Sequence, residues 1–95
     1  MVNRMNPSMK WYVYIVECRD GSYYAGITTD LQRRIGMHNA GVASRYTRTR
    51  RPVRYRYAEA SSSQSEALKR EFEIKGWRRQ KKAALFSLPT NMFLT

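Results

Sequence analysis

The chain has a single cysteine, Cys18, in 95 residues. It can therefore form no intrachain disulfide and no cysteine-built metal cage. Acidic residues are also scarce, with 7 Asp and Glu against 18 Lys and Arg and a formal net charge of +11. Long apolar runs are missing: nothing approaches the roughly 20 residues of a membrane-spanning helix, and the first residues lack the apolar core of a signal peptide. The expectation is a soluble, cytoplasmic protein with no membrane role. The length leaves no room for a second independent domain. With 42% hydrophobic and 13% aromatic residues, the chain can nonetheless bury a modest core, which argues against wholesale disorder.

A field this positive points to a polyanion, and for a cytoplasmic protein the commonest is nucleic acid. Thirteen of the bases are arginine, whose planar fork matches phosphate oxygens where lysine offers a point charge. The densest group is Arg45, Arg48, Arg50, Arg51, Arg54 and Arg56, with Tyr46, Tyr55 and Tyr57 between them and no acid from residue 31 to residue 58. Such a run also serves as a plain solvated face. The interleaved tyrosines favour a nucleic-acid surface.

Along the chain, residues 1–9 read as a loose leader, residues 10–86 as one folded domain and residues 87–95 as a frayed tail. KWYVYIVEC, residues 10–18, has the β-branched and aromatic composition of a buried strand. A turn at Asp20-Gly21 leads into a returning strand over residues 22–27, with Gly26 where a side chain would normally pack. Thr28-Thr29-Asp30 can cap a helix over residues 31–39, followed by Gly41 and a basic loop to residue 51. Residues 53–59 alternate, with Val53, Tyr55 and Tyr57 on one face and Arg54 and Arg56 on the other. Helices over residues 63–77 and 78–86 complete the order ββαβαα, an α+β domain with a small three-stranded, mainly antiparallel sheet flanked by helices.

Three positions fit structure alone poorly. With Ala67 as zero, Ile74, Ala67, Leu68 and Phe72 fill an arc from about −20° to about 140° on the third predicted helix. Glu71 falls inside it at about 40°, while Arg70 and Glu73 project to the far side. The carboxylate there needs a partner: it is a salt bridge to an arginine or a helix-edge residue reaching solvent, or else a metal ligand or acid/base group at the floor of a cleft. Arg34 and His38, four apart, lie beside the Leu31/Ile35 stripe. For the tyrosines, a two-residue turn would put Tyr14 and Tyr24 on opposite faces, whereas a three-residue Arg19-Asp20-Gly21 loop with a bulge would put them on the same face.

Tyr12-Val13-Tyr14, Tyr24-Ala25-Gly26, Arg34, His38 and Glu71 together resemble the GIY-YIG nuclease family, in particular its small single-domain members. YAGITTDLQRRIGMHN resembles the segment from the second triplet through the helix arginine, and EALKREFEIK the helix carrying the family's glutamate. Within the triplets, Tyr12 stands for the first triplet's glycine and Ala25 for the second triplet's isoleucine.

The resemblance implies that Tyr14 acts as or assists the general base on an attacking water. Tyr24 would contact the scissile phosphate or the water, and Arg34 would bind that phosphate. His38 would be a polar helper, and Glu71 would hold one divalent cation, Mg²⁺ or Mn²⁺. The basic segment 46–53 resembles the substrate loop of the small members. Nucleic-acid contact is accordingly expected at Arg45, Tyr46, Thr47, Arg48 and Arg51, with Asn39, Lys75 and the surface base Arg33 added. The implied function is a metal-dependent DNA endonuclease acting on single-stranded or branched DNA. The alternative is a non-catalytic basic nucleic-acid-binding module with the same fold. The sequence carries no signal for an oligomeric state.

Overall fold

The computed structural model describes residues 10–94; the expected leader, residues 1–9, lies outside the described residues. Strand β1, Trp11–Glu17, is the centre of a three-stranded antiparallel sheet, flanked by β2, Tyr23–Thr28, and β3, Arg54–Ser61. Its residues Val13 to Val16 are at most 2% exposed. A strand covered on both faces requires such an unbroken apolar run. No helix among the described residues is long and apolar enough to cross a membrane.

The β1–β2 register pairs Val16 with Tyr24 and Tyr14 with Gly26. Residues Arg19, Asp20 and Gly21 form the loop, closed by Cys18 N–H donating to Ser22 O at 2.8 Å, with Gly21 at φ +86°. This is the three-residue alternative, in which a glycine takes the left-handed conformation closed to most side chains. Tyr14 and Tyr24 consequently share a face.

The expected alternation of β3 is broken. Ile15 pairs with Tyr57 but Val16 pairs with Tyr55, so Arg56 is an extra residue in a β-bulge. The bulge flips the parity. Tyr57 joins Val13, Ile15, Ala25, Ala67, Ile74 and Leu85 in one core cluster, while Tyr55 packs with Tyr14, Val16 and Ala58 on the opposite face. Arg56, freed from the ladder, reaches Glu17 at 2.6 Å.

Helix α1, Leu31–Ala40, starts at Asp30, whose carboxylate accepts the Arg33 N–H, and ends at Gly41, φ +83°. Its Leu31 and Ile35 cover the Tyr14 face. The segment to residue 51, expected as loop, contains one helical turn, α2, Arg45–Arg48, capped by Ser44. No apolar period announces it because it is held by polar contacts of Thr47.

Helix α3, Gln64–Lys75, capped by Ser63, packs on the other face against β1 and β2. Its buried stripe is narrower than the apolar arc expected from the sequence. Ala67 and Ile74 are fully buried, but Leu68 is 46% and Phe72 82% exposed. The flanks of the stripe are charged instead. Arg70, expected on the far side, meets Glu59 at 3.0 Å and lies over the Trp77 ring, and Glu71 occupies the other flank with its side chain only 19% exposed.

Helix α4, Arg79–Ala84, passes into a 3₁₀ turn at Leu85–Ser87. The following tail, expected to fray, is docked on β3. The Asn91 amide accepts from Ala58 N–H at 3.2 Å and donates to the Arg56 and Phe86 carbonyls, while Met92 N–H donates to Ala58 O. The sequence pattern missed this because one buried asparagine, not an apolar period, makes the attachment.

Candidate active site

Tyr14 projects from the centre of the sheet toward α1, and Gly26 on the neighbouring strand makes room for its ring. A Cβ at Gly26 would lie 2.6 Å from Tyr14 Cζ, closer than real contacts allow, so a residue without a side chain is needed there. The Tyr14 hydroxyl is 2.8 Å from His38 Nε2, and Tyr55 closes the ring edge-on at 5.4 Å. Tyr55 is itself fixed by its hydroxyl, which donates to Leu31 O at 2.6 Å. Tyr24 meets the His38 ring edge-on at 5.6 Å and stacks on Tyr46 at 5.7 Å.

His38 is 1% exposed and held at both ring nitrogens, by Tyr14 at Nε2 and by Thr47 Oγ1 at Nδ1, each at 2.8 Å. Burial first, and the charge of Arg34 second, lower its pKa from 6.5 to about 4. The imidazole is therefore neutral at pH 7. Burial likewise pushes the Tyr14 phenol above its ordinary value; Arg34 opposes that shift and Tyr55, Tyr24 and Glu71 reinforce it.

Arg34 thus sits where its charge is felt by Tyr14, Tyr55 and His38. Among the described residues it pairs with no carboxylate, and its buried Nε has no hydrogen-bond partner. Buried polar groups are nearly always satisfied, and the Arg34 Nε is an exception among the described residues. The Glu71 carboxylate approaches from α3, 3.4 Å from Lys75 Nζ, and that ammonium stands 5.1 Å over the Tyr24 ring. Of the five expected catalytic side chains, Tyr14, Tyr24 and His38 are in direct contact and Arg34 acts on them by its charge, while Glu71 comes from the helix on the opposite face and reaches the group through Lys75 and through its charge on Tyr14.

The expected nucleic-acid contacts divide. Arg33 and Arg45 are exposed, and Arg48 lines an open cleft with Arg19, Thr49 and Arg51. The Tyr46 ring is engaged by Tyr24 and by Arg50, 3.9 Å above it. Arg51 donates to the carbonyls of Arg48 and Asn39. One residue turns inward, which corrects the expectation for it: Thr47 is completely buried against His38. Asn39 stays exposed, with its amide donating to the Val53 carbonyl and accepting the Val53 N–H. Tyr55 was read from the sequence as a strand residue among the basic cluster and not as part of this site, and Ser44 was not singled out; the Ser44-x-x-Thr47 spacing of a helix cap was the available signal for Ser44.

For a metal ion, the described residues hold no group of three or more His, Cys, Asp or Glu side chains. A protein-built cage of the zinc type does not fit. A hard divalent cation does, since Mg²⁺ keeps several waters and commonly takes one or two carboxylates together with phosphate oxygens. Glu71 supplies such a carboxylate, at a point where the Lys75 ammonium already stands.

The family model described as the GIY-YIG catalytic domain matches residues 10–84. The chain belongs to the GIY-YIG family. Within it, the chain is similar to UPF0213 proteins. One, from Halobacterium salinarum, is 53% identical over 75 residues, which cover 79% of this chain and 97% of that protein. Another, from Staphylococcus haemolyticus, is 56% identical over 73 residues, 77% and 89% of the two chains. The solution NMR structure of a UPF0213 protein from Bacillus halodurans matches with TM-score 0.55 and 45% identity, covering 90% of this chain and 92% of that one.

Proposed function

We propose that this protein is a metal-dependent endonuclease that hydrolyses phosphodiester bonds of single-stranded or branched DNA by one-step water attack. The observation that carries the reading is Arg34: a guanidinium with a buried, unpartnered Nε beside two tyrosines and a neutral histidine. The uncompensated charge of this guanidinium would attract a phosphate, and its terminal nitrogens would stabilise charge as the phosphorus becomes pentacoordinate. Tyr24, edge-on to the His38 ring, would donate its hydroxyl to the phosphate or to the attacking water.

The Tyr14 oxygen receives the proton of that water. As a phenol it is a weak base, and the neutral His38 at 2.8 Å strengthens it by accepting its own proton. Glu71 would hold one Mg²⁺ or Mn²⁺, which when bound supplies charge neutralisation at the leaving oxygen. Arg33, Arg45, Tyr46, Arg48, Arg51 and Lys75 contribute the basic surface that receives the strand. The exposed arginines beside aromatic rings favour unpaired bases over plain duplex.

The test compares the native protein with Glu71→Ala on labelled single-stranded, duplex and branched DNA, with Mg²⁺, Mn²⁺ or EDTA, read on a denaturing gel. Cutting that needs the metal and is lost in the variant, while binding persists, is the expected result. No cutting on any substrate overturns the reading and leaves a basic binding module.

A further inference from the structure

The contact between Tyr14 and His38 does not end at the histidine. His38 Nδ1 is 2.8 Å from Thr47 Oγ1, and Thr47 Oγ1 is 3.1 Å from Ser44 Oγ. Thr47 is fully buried, whereas Ser44 is half-buried and lines an open surface cleft with Gly41, Val42 and Arg45. Four groups therefore stand within hydrogen-bond distance of one another, from the phenol at the site to a second point on the surface. The Ser44 hydroxyl oxygen accepts the Thr47 N–H as the cap of α2. Its proton and remaining lone pair stay available to the Thr47 hydroxyl.

We propose that Thr47 and Ser44 are positioning residues that extend the Tyr14–His38 pair into a proton path, with Thr47 holding His38 in the Nδ1–H tautomer so that Nε2 accepts the Tyr14 proton. The proposal rests on Tyr14 acting on the attacking water, as above.

The transfer balances. As the water's proton arrives on the Tyr14 oxygen, the phenol's own proton passes to His38 Nε2 and the Nδ1 proton passes to Thr47 Oγ1. The Thr47 proton moves to Ser44 Oγ, and the Ser44 proton leaves to solvent water in the cleft. One proton enters and one departs, no side chain changes charge, and the imidazole only exchanges tautomers. After product release a proton entering at Ser44 from the cleft runs the transfers in reverse, and the Tyr14 oxygen gives up its proton to water in the emptied site, which restores the start. An imidazolium is disfavoured at this position, where burial and Arg34 hold the pKa at about 4. A relay through two neutral tautomers avoids that species, which a histidine without a second partner could not do.

His38 is the only histidine in the chain, so its ring nitrogens are unambiguous in ¹⁵N NMR. The native protein is expected to show Nδ1–H. Thr47→Val should shift the ring to Nε2–H and lower kcat for DNA cleavage by about tenfold or more with KM unchanged, and Thr47→Ser should keep both native properties. Ser44→Gly removes the hydroxyl with little loss of capping; it should lower kcat while leaving the tautomer native.

A native Nε2–H ring overturns the proposal, even if Thr47→Val fails to fold. So does native kcat in Thr47→Val or Ser44→Gly, or failure of Thr47→Ser to match the native protein. Tyr14→Phe and Glu71→Ala run alongside: cutting that survives in both overturns the roles given to these residues in the proposed reaction, whereas the tautomer measurement judges the path independently of cleavage.

Discussion

His38 is buried neutral between a phenol and a threonine hydroxyl, and this makes it a cost to the fold in acid. In the unfolded chain its pKa is near 6.5, in the folded one about 4, so between these values the unfolded state binds more protons. The stability it contributes is present above pH 6.5 and is lost as pH falls from there through about 4. The loss should reach about 3 kcal/mol. Urea unfolding at pH 7.5 and pH 4 checks this, and His38→Gln should lack that part of the pH dependence. At this scale the positions of the candidate residues on their helices were legible in the sequence. Arg34 and His38 share one line of a helix, and Glu71 interrupts an apolar stripe, because helical period alone puts them there. Thr47 was not legible as an inward residue: among Arg45, Tyr46 and Arg48 it resembles one more surface group, and only the tertiary position of His38 turns it in.

Among the elements, β3 and the segment after α4 depend on each other. The bulge at Arg56 leaves the Arg56 carbonyl outside the ladder to β1, and Asn91 takes it up together with Ala58 N–H and Phe86 O. Phe93 then stacks on Tyr55 at 4.8 Å, and Tyr55 is the ring that holds Tyr14 edge-on. Asn91→Ala would leave several buried backbone groups without partners and should cost about 2–4 kcal/mol, read as a lower urea midpoint. The strands, the hairpin and the two long helices follow from alternation, period and caps. The bulge and the docked tail do not, because a bulge changes parity without changing composition and a single asparagine carries no pattern.

For the whole molecule, the net charge of +11 is spread unevenly. Arg54, Arg56, Arg70 and Arg50 are paired with acids, so they contribute less to an external field than their number suggests. Arg45 and Arg48 are exposed. Replacing each by alanine should weaken DNA binding and reduce the slope of log K against log salt by about 0.7 per arginine for single strands, measured by fluorescence anisotropy across a salt series. The docked tail has a consequence at this scale as well. β3 lies at the border of the sheet, where unpaired N–H and C=O groups invite another chain to add a strand. Asn91 and Met92 occupy that border at Arg56 and Ala58, so the last few residues act as a guard against edge-to-edge aggregation. Shortening the chain before Leu88 would uncover a template for self-association as well as a weaker fold.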